Sequence, residues 1–364
     1  MIALVVGARP QFIKAAAILR ALGSEFPNIL IHTGQHYDDN LSAAFFRDLE
    51  LPEPDIRLGV GSGPHGEQTG LMLAAIERVL LKEKPDQVVV FGDTNSTLAG
   101  ALAAAKLNIP LAHLEAGLRS YNRKMPEEIN RILTDHLAHI LLCHSQAAVG
   151  NLSREGIQQG VYLVGDVMAD VLSQSLQRAY EQSNILDRLK LDDGSYYLAT
   201  VHRAENTEDV SRMQAILSAF IQLGKKIIYP AHPRASKVMN EHHLISDENR
   251  GELRVIDPLG YLDMLRLAAS AQMILTDSGG LQKEAYWLGK PCITLREETE
   301  WVETVEAGWN ILAGTDTDRI RAAVQTFIPP RERKTLYGDG KAAERCVAIL
   351  TGGYYSPLDL QNNQ

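Results

Sequence analysis

Short runs of β-branched and other apolar residues recur along the whole chain, and a longer amphipathic stretch follows almost every one. Runs without polar alternation are typical of strands buried on both faces, and the stretches between them have the spacing of helices. This alternation predicts parallel sheets covered by helices. In the first half, the predicted strands are residues 2–6, 28–32, 87–91, 110–114 and 140–143.

The same rhythm restarts near Tyr196, with predicted strands at 197–200, 226–229, 253–256, 273–275 and 291–294. A predicted helical stretch, residues 167–191, separates the halves. The length of 364 residues also suits two domains. We therefore predict two doubly wound, Rossmann-like α/β domains facing across a cleft, 1–166 and 167–338. A C-terminal helix, at about 339–352, is expected to pack back onto the first domain.

Composition disfavours several classes of protein. A formal net charge of -9 argues against a nucleic-acid or anionic-membrane partner. The three cysteines are far apart and form no CxxC pair, and no apolar run has the length of a membrane span. The N-terminal MIALVVGARP has the pattern of a strand rather than of a signal peptide. We expect a reduced, cytoplasmic protein.

Neither NAD nor a metal is expected. The turn after the first strand, Gly7 to Pro10, lacks the GxGxxG fingerprint of dinucleotide binding. His32 and His36 flank a strand end instead of sharing a helix face, and the acidic residues match no metal-binding loop. A redox mechanism is therefore disfavoured.

Residues that suit a phosphate group follow two predicted strands. Ser278, Gly279 and Gly280 open a helix, where free N–H groups and small residues favour an anion; the alternative is an ordinary capped turn. Arg9 stands at the start of the first helix, although it could equally be a solvated loop residue. Glu284, one turn into the later helix, could accept ribose hydroxyls or be a surface carboxylate.

Acidic residues and histidines also follow predicted strands. Asp93 and Glu127 could serve in catalysis, or instead cap a helix and complement its dipole. Glu115 is harder to explain structurally, because an apolar strand leads directly into it, and a desolvated carboxylate can act as acid or base. His202 and His232 each follow a strand, where a histidine is more often structural than catalytic.

Long motifs occur in a recognisable order: GARPQFIK, TGQHYD, FGDTNST, HLEAGLRS, MPEEINR, VHRAEN, YPAHPR and LTDSGGLQKEAYWLGKP. Together, from Met1 to about Leu350, they resemble the non-hydrolysing UDP-N-acetylglucosamine 2-epimerase family. The resemblance implies a GT-B-like fold, a homodimer, a UDP-sugar substrate and no cofactor. Its implied diphosphate ligands are Arg9, Ser278, Gly279 and Gly280, with Glu284 on the ribose; its implied catalytic group is Asp93, Glu115, Glu127 and His202. We place Lys14, His232 and Arg123 among the substrate-binding residues.

The chemistry of such an enzyme explains this set. The hydrogen on C2 of the sugar is not adjacent to a carbonyl, so simple deprotonation at neutral pH is out of reach. Loss of UDP places positive charge at C1, which acidifies that hydrogen, and a carboxylate completes an elimination to a glycal. Protonation from the other face and return of UDP give the manno epimer. The site must hold the diphosphate, carry protons near both faces of C2 and exclude water.

Two departures from the family pattern leave the sugar open. Arg123 and Lys124 add cations beside Glu127, and a tryptophan, Trp301, stands where an arginine-proline pair is common. These cations resemble the branch that acts on UDP-2,3-diacetamido-glucuronic acid, unless they are simply solvated. The TGQHYD segment also departs from the family's second, activating site, so allosteric activation is not predicted. A hydrolysing epimerase, a UDP-dependent glycosyltransferase and a nucleotide-sugar sensor are the remaining alternatives.

Overall fold

The computed structural model describes residues 1–35, 53–246 and 250–353, except for the side chain of Arg9. The chain forms two compact units. One contains Met1–Ser173 together with the chain from Thr335 onward, and the other contains Gln174–Lys334. The division at 173/174 falls inside a helix, Val167–Gln182.

A seven-stranded sheet forms the centre of the first unit. Its strands are β1 (Ile2–Val6), β2 (Asn28–His32), β3 (Ile56–Arg57), β4 (Gln87–Phe91), β5 (Leu111–Ala116), β6 (Ile140–Cys143) and β7 (Val161–Leu163). They lie in the order β3-β2-β1-β4-β5-β6-β7, and all paired strands are parallel. The central strands β1 and β4 are buried along their whole length, as continuous apolar runs require.

The second unit has a six-stranded parallel sheet in the order β10-β9-β8-β11-β12-β13. Its strands are β8 (Tyr197–Thr200), β9 (Ile227–Pro230), β10 (Leu253–Ile256), β11 (Met273–Thr276), β12 (Cys292–Thr294) and β13 (Asn310–Leu312). Residues of β8, β9 and β11 form the centre of its core. Within that core Tyr229 is fully buried, and its hydroxyl donates to the Val201 carbonyl at 3.0 Å, which fixes the chain just after β8.

Helices connect the strands of both sheets. In the described part of the chain they are α1 (Arg9–Leu22), α2 (His65–Glu83), α3 (Asn95–Lys106), α4 (Pro126–Leu137), α5 (Gln146–Arg154), α6 (Val167–Gln182), α7 (Ile185–Leu189), α8 (Ala204–Thr207), α9 (Val210–Gln222), α10 (Pro233–Glu241), α11 (Tyr261–Ser270), α12 (Gly279–Trp287), α13 (Val302–Glu306), α14 (Thr317–Thr326) and α15 (Ala342–Leu350). The last of these packs against α1 in the first unit, and its Ala343 N–H donates to the Asp170 carboxylate at 2.8 Å.

Small residues let α3 lie close to the middle of the first sheet. A Cβ on Gly100 would stand 3.0 Å from Val90 and 3.3 Å from Val5, so a side chain at this position would require the two valines to shift. Thr94 caps this helix by accepting the Thr97 N–H at 3.4 Å. The close packing and the cap bring the start of α3 to the carboxyl end of β4.

The predicted α/β class is confirmed, and each predicted strand is present with ends shifted by at most two residues. The short strands β3, β7 and β13 were not predicted. Each lies at or next to the edge of its sheet and is only partly buried, so it lacks a continuous apolar run. A single helix over 167–191 was wrong, because the chain leaves the helical conformation between α6 and α7.

Strand order places a topological switch point in each sheet. The chain winds in opposite directions from β1 and β4 in the first unit, and from β8 and β11 in the second. Ligands of doubly wound sheets bind at the carboxyl ends of the strands at such points. Asp93 and Glu115 lie at this end of the first sheet, and His202 and Ser278 at this end of the second. None of the helices in the described ranges has the length and hydropathy that a bilayer crossing requires.

Candidate active site

A buried ion pair joins α1 to β5 in the first unit. The Lys14 ammonium contacts the Glu115 carboxylate, and their side chains are only 7% and 11% exposed. A second pair lies beside it, where Arg131 Nη1 of α4 donates to Asp93 Oδ2 at 2.5 Å. Residues of α1, β5, α4 and the turn after β4 therefore bring two of the predicted catalytic acids together, each against a buried cation.

The backbone at Glu115 is strained. Its φ is +77°, a left-handed conformation that costs a non-glycine residue about 1–3 kcal/mol. The pairing register of β5 with β6 shifts between Leu114 and Ala116, so this residue lies in an irregularity inside the strand instead of following it. Gly92 lies opposite with φ +60°, and a Cβ there would stand 3.3 Å from Glu115 Oε2. Strain of this kind is typical of functional sites.

Glu115 and Glu127 both lie within electrostatic reach of Asp93. Desolvation by the surrounding protein raises the pKa of Asp93; Arg131 and Lys14 oppose the rise, and the like charges of Glu115 and Glu127 add to it. Asp93 does not cap α3, since Thr94 does. A carboxyl group with a raised pKa holds and releases a proton closer to neutral pH, as proton transfer requires.

Glu127 and Glu128 have different environments although they are neighbours at the start of α4. Glu127 is exposed, whereas Glu128 is buried and accepts hydrogen bonds from Ser120 N and Tyr121 N, both at 2.9 Å. Glu128 also pairs with Arg131 at 2.8 Å. It therefore anchors the loop before the helix, the loop on which the exposed Arg123 and Lys124 lie.

A buried charged network that was not predicted lies behind these acids. His113, in the middle of β5, is fully buried; its Nε2 donates to the Gly92 carbonyl at 2.7 Å and its Nδ1 meets Asp135 Oδ1 at 2.6 Å. Asp135 also accepts from Gly117 N at 3.1 Å and from Arg119 at 2.7 Å. Burial opposes ionisation of Asp135, but the charges and hydrogen bonds of His113 and Arg119 keep its pKa below the usual value.

This network holds the backbone on both sides of the predicted catalytic acids. The Gly92 carbonyl belongs to the peptide bond that leads into Asp93, and Gly117 lies two residues after Glu115. His113 was missed because it reads as an interior residue of an apolar strand. Only its place in the HLEAGLRS motif could have marked it.

In the second unit, a buried carboxylate shapes the turn after β8. Asp277 is fully buried and accepts hydrogen bonds from His202 N at 3.1 Å, Arg203 N at 3.0 Å and Asn206 Nδ2 at 3.0 Å. The His202 ring lies beside it, with Nδ1 3.5 Å from Asp277 Oδ1, and remains 42% exposed. The side chain of His202 is therefore fixed in place but accessible to a ligand.

Desolvation lowers the pKa of His202, and the positive charge of Arg203 lowers it further, whereas Asp277 opposes the change. The exposed His232 lies near it, with ring centroids 6.5 Å apart. His232 also caps α10, because its Nδ1 accepts the Arg234 N–H at 3.3 Å. The two histidines predicted in the second half of the chain therefore lie together.

The start of α12 has the geometry predicted for an anion site. Ser278 is its N-cap, and its Oγ accepts the Leu281 N–H at 3.4 Å. Gly279 and Gly280 are the first two residues of the helix, whose N–H groups have no partner within the helix itself. Further along, Glu284 Oε1 accepts from the Tyr261 hydroxyl at 3.5 Å. Tyr261 was not predicted, and no spacing rule would have paired it with Glu284.

Two parts of the predicted site are outside this description. Arg9 is the first residue of α1, but its side chain lies outside the described residues. His36 to Asp38 of the TGQHYD motif also lie outside them. Within the ranges that the structure describes, no cluster of three or more histidine, cysteine or acidic side chains has the geometry to hold a metal ion.

The family model for UDP-N-acetylglucosamine 2-epimerase matches residues 20–351. The chain belongs to the UDP-N-acetylglucosamine 2-epimerase family.

Relatives of this epimerase family cover nearly the whole chain. The UDP-N-acetylglucosamine 2-epimerase homolog of Methanococcus maripaludis is 51% identical over 95% of this chain and 98% of its own length. The UDP-2,3-diacetamido-2,3-dideoxy-D-glucuronate 2-epimerase of Pseudomonas aeruginosa is 46% identical over 95% of this chain and 98% of its own length. The chain is therefore similar to enzymes named for two different sugars.

Solved structures agree with this family assignment. The crystal structure of Methanocaldococcus jannaschii UDP-GlcNAc 2-epimerase in complex with UDP-GlcNAc and UDP matches with a TM-score of 0.88 at 46% identity, covering 97% of this chain and 99% of that one. The relatives are named as UDP-sugar 2-epimerases, which are isomerases. The resemblance drawn from the motifs, the fold class and the enzyme class are thereby confirmed.

Proposed function

We propose that this protein interconverts UDP-N-acetylglucosamine and UDP-N-acetylmannosamine without hydrolysis, by eliminating UDP and adding it back. The observation that carries the proposal is the acid cluster of the first unit, in which Asp93 and Glu115 lie against buried cations and Asp93 has a raised pKa. A glycosyltransferase or a sensor has no need for several proton carriers within reach of one another. Homologues named for this reaction support the same conclusion.

In the forward reaction the C1–O bond to UDP breaks, a carboxylate removes the proton from C2, and a C1–C2 double bond forms. A second proton carrier then protonates C2 from the opposite face, and a β-phosphate oxygen of UDP re-forms the bond to C1. Every atom that leaves the sugar returns, except the proton, which exchanges with solvent. We propose Asp93, Glu115 and Glu127 as the proton-carrying group, with Lys14 stabilising the charge of Glu115.

The second unit is proposed to bind UDP. The N–H groups at the start of α12 and the hydroxyl of Ser278 suit a diphosphate, and Arg9 is proposed as a further diphosphate ligand. Glu284, whose carboxylate accepts from Tyr261, is proposed to accept the ribose hydroxyls. His202 and His232 are proposed to contact the phosphates; a proton from His202 would assist departure of UDP. Negative charge on UDP grows as C1–O breaks, so these donors favour the transition state.

The second candidate substrate is a UDP-2,3-diacetamido-glucuronate. The observation that favours it is the loop anchored by Glu128, which carries the exposed cations Arg123 and Lys124 next to Glu127. A sugar carboxylate would complement that charge. Arg123→Ala and Lys124→Ala should raise KM for the uronate and leave KM for the neutral sugar unchanged.

We also propose a homodimer in the cytoplasm that supplies cell-envelope polysaccharide synthesis. Ile129 and Leu133 share the exposed face of α4, and Leu71 is exposed on α2; such residues suit an interface between copies. Light scattering on the purified protein tests the stoichiometry, and Leu133→Glu is expected to weaken a dimer that uses this face. A monomeric wild-type protein would refute the dimer.

The substrate is tested by incubating the purified protein separately with both UDP-sugars and following each by proton NMR. A second UDP-sugar should appear with little free UDP, and Glu115→Gln and Asp93→Asn should each slow its appearance by at least about 100-fold. Release of free N-acetylmannosamine would favour a hydrolysing enzyme. Inactivity with both sugars would refute the proposed function.

A further inference from the structure

Arg203 belongs to the VHRAEN motif, which gave it no predicted role, and its side chain lies beside the start of α12. A Cβ placed on Gly279 would stand 3.7 Å from Arg203 Nη2. Gly279 is the first residue of the helix, at the point where the diphosphate is proposed to bind. The guanidinium therefore reaches the same place as the free N–H groups of the helix.

The turn after β8 fixes this position. The fully buried Asp277 accepts the Arg203 N–H at 3.0 Å and the His202 N–H at 3.1 Å, so two successive backbone groups are tied to one carboxylate. Asn206 donates to the same carboxylate at 3.0 Å and closes the turn on its other side. The side chain of Arg203, which is only half-buried, extends from a rigid backbone.

One carboxylate, that of Glu300, lies near this point together with Arg203. Glu300 Oε2 also stands 3.7 Å from the Cβ position on Gly279, but its carboxylate is already bound by Arg296, with distances of 3.0 and 3.3 Å. Burial opposes ionisation of Glu300, yet the hydrogen bond and charge of Arg296 lower its pKa, and the charge of Arg203 adds to this effect. Among the described residues, no carboxylate pairs with the guanidinium of Arg203. Because the Glu300 carboxylate is held by Arg296, the guanidinium of Arg203 can donate to a phosphate at the helix start.

We propose that Arg203 is a ligand of the substrate's diphosphate. The inference rests on the proposed function and deepens it, because it names a residue that would bind the leaving group. Arginine presents N–H donors in a planar fork that matches two phosphate oxygens, and it stays protonated at any pH the enzyme meets. Bond cleavage at C1 adds negative charge to UDP, so this contact strengthens as the reaction proceeds.

The test is direct binding of UDP, measured by calorimetry, to the full-length wild-type protein and to Arg203→Ala, Arg203→Lys and a control. The control is Arg319→Ala, which removes an exposed arginine of the same unit that pairs with Glu297 at 3.3 Å. Arg203→Ala should weaken UDP binding about 10- to 100-fold, and Arg203→Lys should weaken it less. The control should stay within about twofold of the wild type.

Uridine, followed by ligand-observed NMR, separates phosphate binding from a general effect on the fold. Its affinity should be the same for the wild type and Arg203→Ala. If the wild type binds UDP and Arg203→Ala binds it equally well, the inference is wrong and the proposed function stands. Equal weakening of uridine and UDP would also overturn the inference. A wild-type protein that does not bind UDP would overturn the proposed function and the inference with it.

Discussion

The ion pair between Lys14 and Glu115 permits a quantitative prediction about stability. Both side chains are close to fully buried, with exposures of 7% and 11%, so neither charge is strongly screened by water. Glu115→Gln leaves a buried ammonium beside a neutral amide. Loss of one partner of a buried pair costs about 3–5 kcal/mol, because the remaining charge has lost the interaction that offset its desolvation. Lys14→Met removes the other partner and should cost a similar amount.

The double variant Lys14→Met with Glu115→Gln should lose less free energy of unfolding than the two single variants lose in sum. We expect the difference to be at least about 2 kcal/mol, because no uncompensated charge remains in the double variant. Urea unfolding, followed by circular dichroism, measures the four free energies. At roughly 2–4 °C per kcal/mol, each single variant should lower the midpoint of the first unit's thermal transition by about 6–20 °C. Lys82→Met is the matched control, because Lys82 forms an exposed pair with Glu83 and should cost less than about 1 kcal/mol. A buried, coupled pair would be refuted if each single variant lost under about 1 kcal/mol of unfolding free energy and the two losses simply added in the double variant.

Three further predictions concern groups around the site and the domain core. His113→Gln should lower kcat at least about tenfold and leave the Kd for UDP unchanged, because His113 supports the backbone next to Asp93 and Glu115 and does not lie at the proposed nucleotide site. Equal losses in kcat and in UDP affinity would indicate a general folding defect. Gly279→Ala should weaken UDP binding about tenfold in calorimetry. The alanine methyl group would stand 3.3 Å from Trp301 Nε1 and would cover the start of α12. Unchanged affinity for UDP would argue against a phosphate at this helix start. Burial raises the pKa of Asp170 from 3.8 to about 6, so ionisation of this carboxyl group opposes folding. The free energy of unfolding should therefore fall by up to about 3 kcal/mol as the pH rises through that window. In urea unfolding at pH 4 and pH 7, Asp170→Asn should abolish this contribution to the pH dependence. A variant with the wild-type slope would contradict the assignment to Asp170.

Much of the fold could be predicted because buried parallel strands consist of continuous apolar runs in the sequence. Residues 2–6 and 87–91 are buried throughout, and their bounds were predicted without error. The edge strand β13 has only one fully buried residue, so it has no such run to detect. The predicted helix over 167–191 failed because the break after Gln182 occurs at polar residues that a helix also tolerates.

The positions of candidate site residues at strand ends could be predicted where they follow predicted strands or form part of long motifs, as Asp93 and Ser278 do. Its supporting contacts were not, because they depend on geometry that only the fold creates. The left-handed backbone of Glu115 has no sequence signature, since its side chain is not one that usually marks such a turn. The contact of Arg203 with the start of α12 joins residues more than seventy positions apart, and no periodicity rule connects them.

The central claim is that C2 inverts through cleavage and re-formation of the C1–O bond. The most direct test uses UDP-N-acetylglucosamine with ¹⁸O in the bridge between C1 and the β-phosphate, incubated with the protein in D2O. We predict deuterium at C2 of the product, ¹⁸O scrambled into the non-bridging positions of the β-phosphate, and little free UDP. Inversion at C2 with all ¹⁸O still in the bridge would contradict the account, because the bond to UDP would then never have broken.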